Sequence, residues 1–248
     1  MDDLRDALER NGLDASTLDL LLDTGSEQIY QLIVPGTEAV ERWGQLREIV
    51  AQTGYWPVLI GDRSALERHI EIIEAGDQAP AESILAVGLE IDADAWLAEK
   101  GSSLAEYENA HAGKWPEDAT PRSGFTIPTN IMTGDMLDDV YVALIPTTEP
   151  WAAPAYLRFG GIDDCPLPAE HVAVLKRWYE KYGSEVVGMS ADVVELRVAR
   201  PPMDREAALA LAHEQYDYCL DIVEQGGQSV AALAASLLGG TSWYFWWA

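Results

Sequence analysis

The sequence predicts an α/β protein: a mixed, mainly parallel sheet flanked by helices, with a C-terminal hairpin and a buried aromatic last strand. Helical and strand patterns alternate about every 25–30 residues over the first ninety positions, the rhythm of βαβ units. Two extended segments, Glu185 to Met189 and Val193 to Val198, form a hairpin pattern. The sequence ends in five successive aromatic residues, Trp243 to Trp247, and each ring carries roughly 150–250 Å² of surface to bury.

The first half is predicted to contain three strands joined by helices. Leu4, Ala7 and Leu8 mark a short opening helix, and Ser16 is placed to cap a second one that carries three leucines. A further helix follows Thr37 and ends at Gly54. The predicted strands are residues 29–34, 56–60 and 83–89. Short strands joined by helices favour parallel pairing, because parallel neighbours need a crossover connection.

The second half continues the alternation. Strands are predicted over residues 140–145 and 155–159, and a helix follows Pro168. Asp204 is placed to cap the longest helix of the chain, which is predicted to run to about Gln225. A helix of small residues, Val230 to Leu238, then leads into the aromatic strand. Alternate rings of that strand point to opposite faces, so we expect a central strand with packing layers on both sides.

Residues from about 92 to 138 interrupt this alternation with stretches rich in Gly, Pro and Asp. We therefore predict an N-terminal α/β region, residues 1–138, that ends in this irregular insertion. Residues 139–248 are predicted to form a C-terminal α/β domain. Long loops in compact domains often serve as lids or binding segments, but a tolerated insertion explains the same composition.

The net charge limits the classes of partner. The formal charge is −26, from 42 acidic and 16 basic residues. Such a surface repels phosphate backbones and anionic lipid, so we expect neither nucleic-acid nor membrane binding. It attracts basic proteins, although solubility alone is a sufficient reason for the charge. The first residues lack the pattern of a signal peptide, and two cysteines are too few for a disulfide framework, so we expect a cytoplasmic protein.

Motifs of cofactor and metal chemistry are missing from the sequence. It contains no P-loop, no dinucleotide-binding fingerprint, no nucleophile elbow and no zinc-protease motif. We therefore expect no cofactor and no metal. The segment Gly61 to Ser64 joins a strand to a helix N-terminus, where an anion can bind, but an ordinary capped loop is the favoured interpretation.

The turn from Gly160 to Pro168 is the best local candidate for a catalytic site. Cys165 lies just before a helix N-terminus, whose partial positive charge lowers a thiol pKa. His171 follows six positions later, and His213 is expected near it in space. A cysteine nucleophile needs such a base. A buried structural cysteine in a rigid turn is the alternative.

Four further residues are candidates for binding. Asp163 and Asp164 precede Cys165 and, as negative charges, oppose thiolate formation. Trp115 and Trp151 lie in loop-like stretches, where tryptophans serve either as anchors for a partner or as lids on a core edge. Two functions are therefore open: an acidic interaction module, of an immunity or antitoxin kind, that binds a basic protein, or an enzyme or small-ligand-binding protein that uses Cys165, His171 and His213. The sequence does not indicate an oligomeric state.

Several fragments of the second half occur together in one known family. They are Thr148-Glu149-Pro150-Trp151, Phe159-Gly160-Gly161 with Cys165-Pro166, His171 to Leu175, Arg200-Pro201-Pro202 and Trp243 to Trp247. This set resembles the bacterial domain-of-unknown-function family 4253, over about residues 140–248. The chain has Asp164 where the family pattern implies Asn, and Ala248 where it implies Asp. The resemblance implies no activity, so no catalytic role is carried over from it.

Overall fold

The computed structural model describes residues 1–25, 27–75, 79–226 and 229–248, with the side chains of residues 75 and 103–110 left out. In this part of the chain seven strands form one sheet in the order β1-β2-β4-β3-β5-β6-β7. The strands are β1 (Asp19–Asp23), β2 (Gln28–Pro35), β3 (Trp56–Gly61), β4 (Asp139–Ile145), β5 (Ser184–Met189), β6 (Val193–Val198) and β7 (Ser242–Trp246). The helices are α1 (Asp2–Arg10), α2 (Ala39–Glu48), α3 (Val50–Thr53), α4 (Arg63–Ala75), α5 (Ala81–Glu90), α6 (Ala93–His111), α7 (Ala153–Leu157), α8 (Pro168–Tyr182), α9 (Arg205–Tyr218), α10 (Asp221–Glu224) and α11 (Val230–Leu237).

The sheet is mixed and flanked by helices, as predicted, but it is not mainly parallel. Among the described strands, β3 and β5 are the one parallel pair, and every other neighbouring pair is antiparallel. The hairpin of β5 and β6 is confirmed. The prediction of parallel pairing was wrong because β4 runs antiparallel between β2 and β3, and two of the segments expected to supply parallel strands are helical.

Three segments were predicted with the wrong secondary structure: two predicted strands are helical, and one predicted helix is a strand. Residues 83–89 lie in helix α5, and residues 155–159 lie in and just beyond helix α7. Pro154 sits at the start of α7, where a fixed φ suits a first helical turn. Gly88 lets α5 approach α8, since a Cβ there would lie 2.7 Å from the Ala169 carbonyl oxygen. The helix predicted after Ser16 is strand β1, where antiparallel pairing with β2 overrides the local leucine pattern.

The aromatic last strand forms as predicted, but it lies at the edge of the sheet and not at its centre. Trp243 and Phe245 are buried on the face that packs against α8, while Tyr244 and Trp246 on the other face are half-buried. The outer face is partly covered by the segment between α6 and β4, because the Arg122 guanidinium lies 4.8 Å from the Tyr244 ring centroid. Aromatic residues on both faces therefore do not require a central strand.

The helix predicted from Asp204 to Gln225 is broken. Helix α9 ends at Tyr218 because Cys219 adopts an extended backbone conformation, and the short α10 follows. Within the described ranges α6 is the longest helix, with 19 residues. Glu214 on α9 is partly buried; its carboxylate pairs with Arg177 at 2.8 Å and accepts a hydrogen bond from Trp178 Nε1 at 3.1 Å.

The irregular segment before β4 packs against the edge of the sheet. Glu195 on β6 is 1% exposed, and its carboxylate accepts hydrogen bonds from the backbone N–H groups of Thr126 (2.7 Å) and Ile127 (3.0 Å). Burial nevertheless raises the pKa of Glu195 above its ordinary value.

β4 begins the predicted C-terminal domain yet lies between two strands of the preceding region, and the domain boundary near residue 139 stays a prediction. None of the helices within the described ranges is both long enough and apolar enough to span a bilayer.

Candidate functional site

The turn between α7 and α8 is shaped by glycines that no other residue could replace without movement. Gly160 and Gly161 have φ values of 102° and 79°, a region that favours glycine. A Cβ on Gly160 would lie 2.1 Å from the Pro166 carbonyl oxygen and 2.7 Å from His171 Nε2. The Gly161 N–H donates to the Pro166 carbonyl at 2.8 Å. The turn is therefore closed tightly over the first turn of α8.

Cys165, His171 and Tyr218 form a chain of polar contacts beneath this turn. Cys165 Sγ lies 3.4 Å from His171 Nε2, and His171 Nδ1 lies 2.5 Å from the Tyr218 hydroxyl. Burial holds the pKa of the Tyr218 phenol well above its ordinary value, so the phenol keeps its proton and donates a hydrogen bond to His171 Nδ1. The neutral imidazole then carries its proton on Nε2, which also contacts the Pro166 carbonyl. His171 in this tautomer cannot accept a proton from the thiol.

The electrostatic environment is the opposite of what a cysteine nucleophile needs. Burial raises the pKa of the Cys165 thiol far above its ordinary value, in contrast to the lowering expected from the helix N-terminus. Burial also lowers the pKa of His171 to about 3. The structure thus brings the predicted cysteine and histidine together, but as a neutral pair.

A fall in stability with acidification is expected from this buried histidine and from His69, whose pKa burial lowers to about 4. Both side chains stay neutral in the folded protein, whereas the unfolded chain binds protons below a pH of about 6.5. Between pH 7 and pH 5 the free energy of unfolding should therefore fall by about 2 kcal/mol for each histidine. Urea unfolding at several pH values measures this, and His171→Phe should flatten the profile.

The control for that measurement is Val174→Ala, because it removes buried volume from the same helix, α8, but no titratable group. It should lower the stability without changing the slope of the pH profile. Identical profiles for wild type and His171→Phe would contradict the assignment of His171 as a buried neutral base.

The other predicted site residues do not join this cluster. Within the described part of the chain, His213 contacts neither Cys165 nor His171. Asp163 and Asp164 are exposed in the turn. Trp151 is buried, and Trp115 is half-buried with the Arg205 guanidinium 4.4 Å from its ring centroid. Neither tryptophan is an open anchor, and a binding role for these four residues stays a prediction.

A large apolar cleft lies beside the turn, and the sequence did not indicate it. Its volume is about 850 Å³. We call it the apolar cleft; its walls come from α4, α5 and the turn, and include Arg68, Ile72, Ile84, Val87, Arg158, Ile162, Leu167 and Pro168. Val87, Ile162 and Leu167 are each more than half exposed, so the cleft is unfilled apolar surface. Cys165 is not among the residues that line it.

One wall residue of the apolar cleft is a buried arginine. Arg158 is 6% exposed and has a φ of 51°. Its Nη1 donates to the carbonyl of Tyr156 at 2.7 Å, and its Nη2 donates to Glu27 at 3.0 Å. Among the described residues its Nε has no hydrogen-bond acceptor. Arg158 therefore lines the apolar cleft and keeps one N–H donor that no described residue uses.

Residues 141–248 match the model of a family described as domain of unknown function (DUF4253). The resemblance predicted from the sequence is thus confirmed over the C-terminal part of the chain. No curated protein and no solved structure matches the chain significantly. The DUF4253 region supplies Arg158 and the turn to the apolar cleft, whereas α4 and α5 precede this region. Both parts of the chain therefore build the cleft.

The described residues offer neither a cluster of metal ligands nor an open anion site at the start of α4. Across the described residues, groups of three or more potential metal ligands do not occur. At the start of α4 the Asp62 carboxylate accepts a hydrogen bond from the Ala65 N–H at 2.9 Å. This helix N-terminus is thus capped by the protein's own carboxylate, as the capped-loop interpretation of the segment expects.

Proposed function

We propose that this protein binds an amphipathic small molecule in the apolar cleft. The observation that carries the proposal is a cleft of about 850 Å³ in which apolar walls adjoin the buried guanidinium of Arg158. Ligand sites are typically concave and mostly apolar, with few polar groups that fix orientation. The volume lies within the ordinary range of such sites, roughly 300–1,000 Å³.

The lining chemistry favours a ligand with an apolar body and a hydrogen-bond-accepting head. Val87, Ile84 and Leu167 offer apolar surface to a hydrocarbon chain or ring. The Arg158 guanidinium has donors only, so the group that reaches it must be an acceptor such as a carboxylate. Glu27 already balances the charge of Arg158, and the head group is therefore recognised by hydrogen bonding more than by net charge.

Decanoate titrated into the full chain and followed by calorimetry tests this proposal. We expect saturable binding, and weaker binding of 1-decanol, which lacks the carboxylate. Leu167→Asp places a charge on the cleft wall and should weaken decanoate binding at least about tenfold, while an aspartate is well suited to the helix N-cap that this residue occupies. Met203→Asp alters an apolar side chain that is 80% exposed outside the cleft and is the matched control.

Equal decanoate binding by the Leu167→Asp and Met203→Asp variants would overturn the proposal, as would the absence of saturable binding. Cys165→Ala is expected to leave decanoate binding unchanged, because Cys165 does not line the cleft. Loss of binding in that variant would instead favour a ligand site that includes Cys165.

The charge of −26 favours a second function, the cytoplasmic binding of a basic protein. Electrostatic attraction of this kind is weakened by salt. Purification of the tagged protein from its host lysate at low and high salt tests it. A stoichiometric basic partner that is released at high salt is expected, and a partner retained at high salt or the lack of any partner would contradict it.

A further inference from the structure

A second cleft lies at the carboxyl ends of β3 and β5, the parallel pair of the sheet. Its volume is about 410 Å³, and its polar lining residues include Asp62, Ser64, Arg68, Asn130, Asp192 and Tyr244. We call it the polar cleft. The carboxyl ends of parallel strands are where ligands commonly bind in α/β sheets. Arg68 lines both clefts, since it lies on α4 between them.

The charged groups of the polar cleft are not neutralised by one another. Among the described residues neither Asp62, Asp192 nor Arg68 forms an ion pair. Each aspartate uses one carboxylate oxygen for a local hydrogen bond: Asp62 Oδ1 accepts from the Ala65 N–H, and Asp192 Oδ1 accepts from Ser190 Oγ at 3.2 Å. Each therefore has a second oxygen available to a ligand. The polar cleft is thus lined by two aspartates and one arginine that do not form ion pairs with one another.

This combination of charges selects among ligand classes. A simple anion would meet two aspartates, and a simple cation would meet Arg68, so like-charge repulsion disfavours both. A molecule that carries both an ammonium and a carboxylate group satisfies both signs. The remaining lining supplies apolar surface, from Ile131, Leu137 and Val193, next to the half-buried ring of Trp246.

We propose that the polar cleft binds a free α-amino acid with an apolar side chain. Its ammonium group is bound by Asp62 and Asp192, and its carboxylate is bound by Arg68. The side chain lies against the apolar lining beside Trp246. The polar cleft shares Arg68 with the apolar cleft but is otherwise lined by different residues. None of the residues proposed to bind the amino acid belongs to the Cys165 turn.

Titration of L-leucine and L-phenylalanine into ¹⁵N-labelled protein tests this proposal, with the Trp246 indole N–H resonance as the reporter. We expect saturable shifts at that resonance. Isopentylamine lacks the carboxylate of leucine and 4-methylpentanoate lacks its ammonium group, so each should bind at least about tenfold more weakly, as expected for the loss of a charge-assisted hydrogen bond.

The variants separate charge recognition from folding. Asp62→Asn and Asp192→Asn can keep the hydrogen bonds to Ala65 and Ser190, because asparagine retains an acceptor oxygen. Each should weaken leucine binding about tenfold, and so should Arg68→Gln. Glu67→Gln changes an exposed charge on the same helix and should have no effect.

The absence of a saturable shift with both amino acids would overturn the proposal. Binding of isopentylamine and 4-methylpentanoate as tight as that of leucine would do the same. Binding that is unchanged in Asp62→Asn, Asp192→Asn and Arg68→Gln would also overturn it. Failure here would leave the decanoate proposal intact, because Leu167 and Met203 lie outside the polar cleft.

Discussion

Trp178→Ala is expected to lower the free energy of unfolding by about 4 kcal/mol, the scale measured for buried aromatic residues replaced by alanine. Trp178 on α8 is fully buried. Its ring is stacked on Phe245 at 5.4 Å and meets Trp243 edge-on at 5.5 Å. Its Nε1 also donates to Glu214, so the substitution removes a donor from a partly buried carboxylate as well as leaving a cavity.

Urea unfolding followed by circular dichroism measures this loss. The matched control is Trp115→Ala, which removes a half-buried ring that packs at the margin of the core beside the Arg205 guanidinium, and which should cost about 1–2 kcal/mol. Trp178→Phe keeps much of the packing and should fall between the two. Equal stabilities for Trp178→Ala and Trp115→Ala would contradict the central place given to α8 and β7 in the core.

Burial of the aromatic ending could be predicted from the sequence because its rings have too much surface to remain in water. Its position at the edge of the sheet could not. Tyr244 is covered in part by the Arg122 guanidinium. Arg122 lies over 100 positions earlier in the chain, in a segment with no periodic pattern. Alternation within a strand shows which side chains share a face, but it does not show what covers that face.

The apolar cleft was missed for a related reason. Residues 83–89 are a short apolar run, and such runs fit a buried strand as well as a helix. As helix α5 they place Val87 on a solvent-exposed wall, whereas a strand would have buried it in the sheet. The cleft exists only because this segment is helical and lies opposite the Gly160–Gly161 turn.

The contact of Cys165 with His171 was within reach of the sequence, because six positions across a turn and a first helical turn bring two side chains close. The protonation states of the two side chains could not be predicted from the sequence. Tyr218 and Trp247 approach His171 from distant parts of the chain, with ring centroids 5.4 Å and 5.3 Å away. These rings exclude water and so determine the pKa shifts. Local spacing can predict a pair, but the surrounding tertiary packing decides its charge state.

Glu27→Gln is expected to lower the free energy of unfolding by about 3–5 kcal/mol, the cost of breaking one side of a buried ion pair. Glu27 and Arg158 are 9% and 6% exposed and lie 3.0 Å apart. Glu27 Oε1 also accepts the Ala81 N–H at the start of α5, at 2.6 Å. The substitution leaves the guanidinium buried without a counter-charge. Glu67→Gln disrupts the exposed pair with Arg63 and should change stability by under about 0.5 kcal/mol.

A double variant separates the contribution of this pair to the fold from its contribution to ligand binding. Combining Glu27→Gln with Arg158→Met removes the uncompensated charge, so most of the lost stability should return. Decanoate binding should be weaker in the double variant than in wild type, because methionine offers no donor to the head group. Urea unfolding and calorimetry on the same samples measure both. Decanoate binding as tight in the double variant as in wild type would show that the carboxylate does not need the guanidinium. An equal stability loss in Glu27→Gln and Glu67→Gln would contradict the burial of the pair.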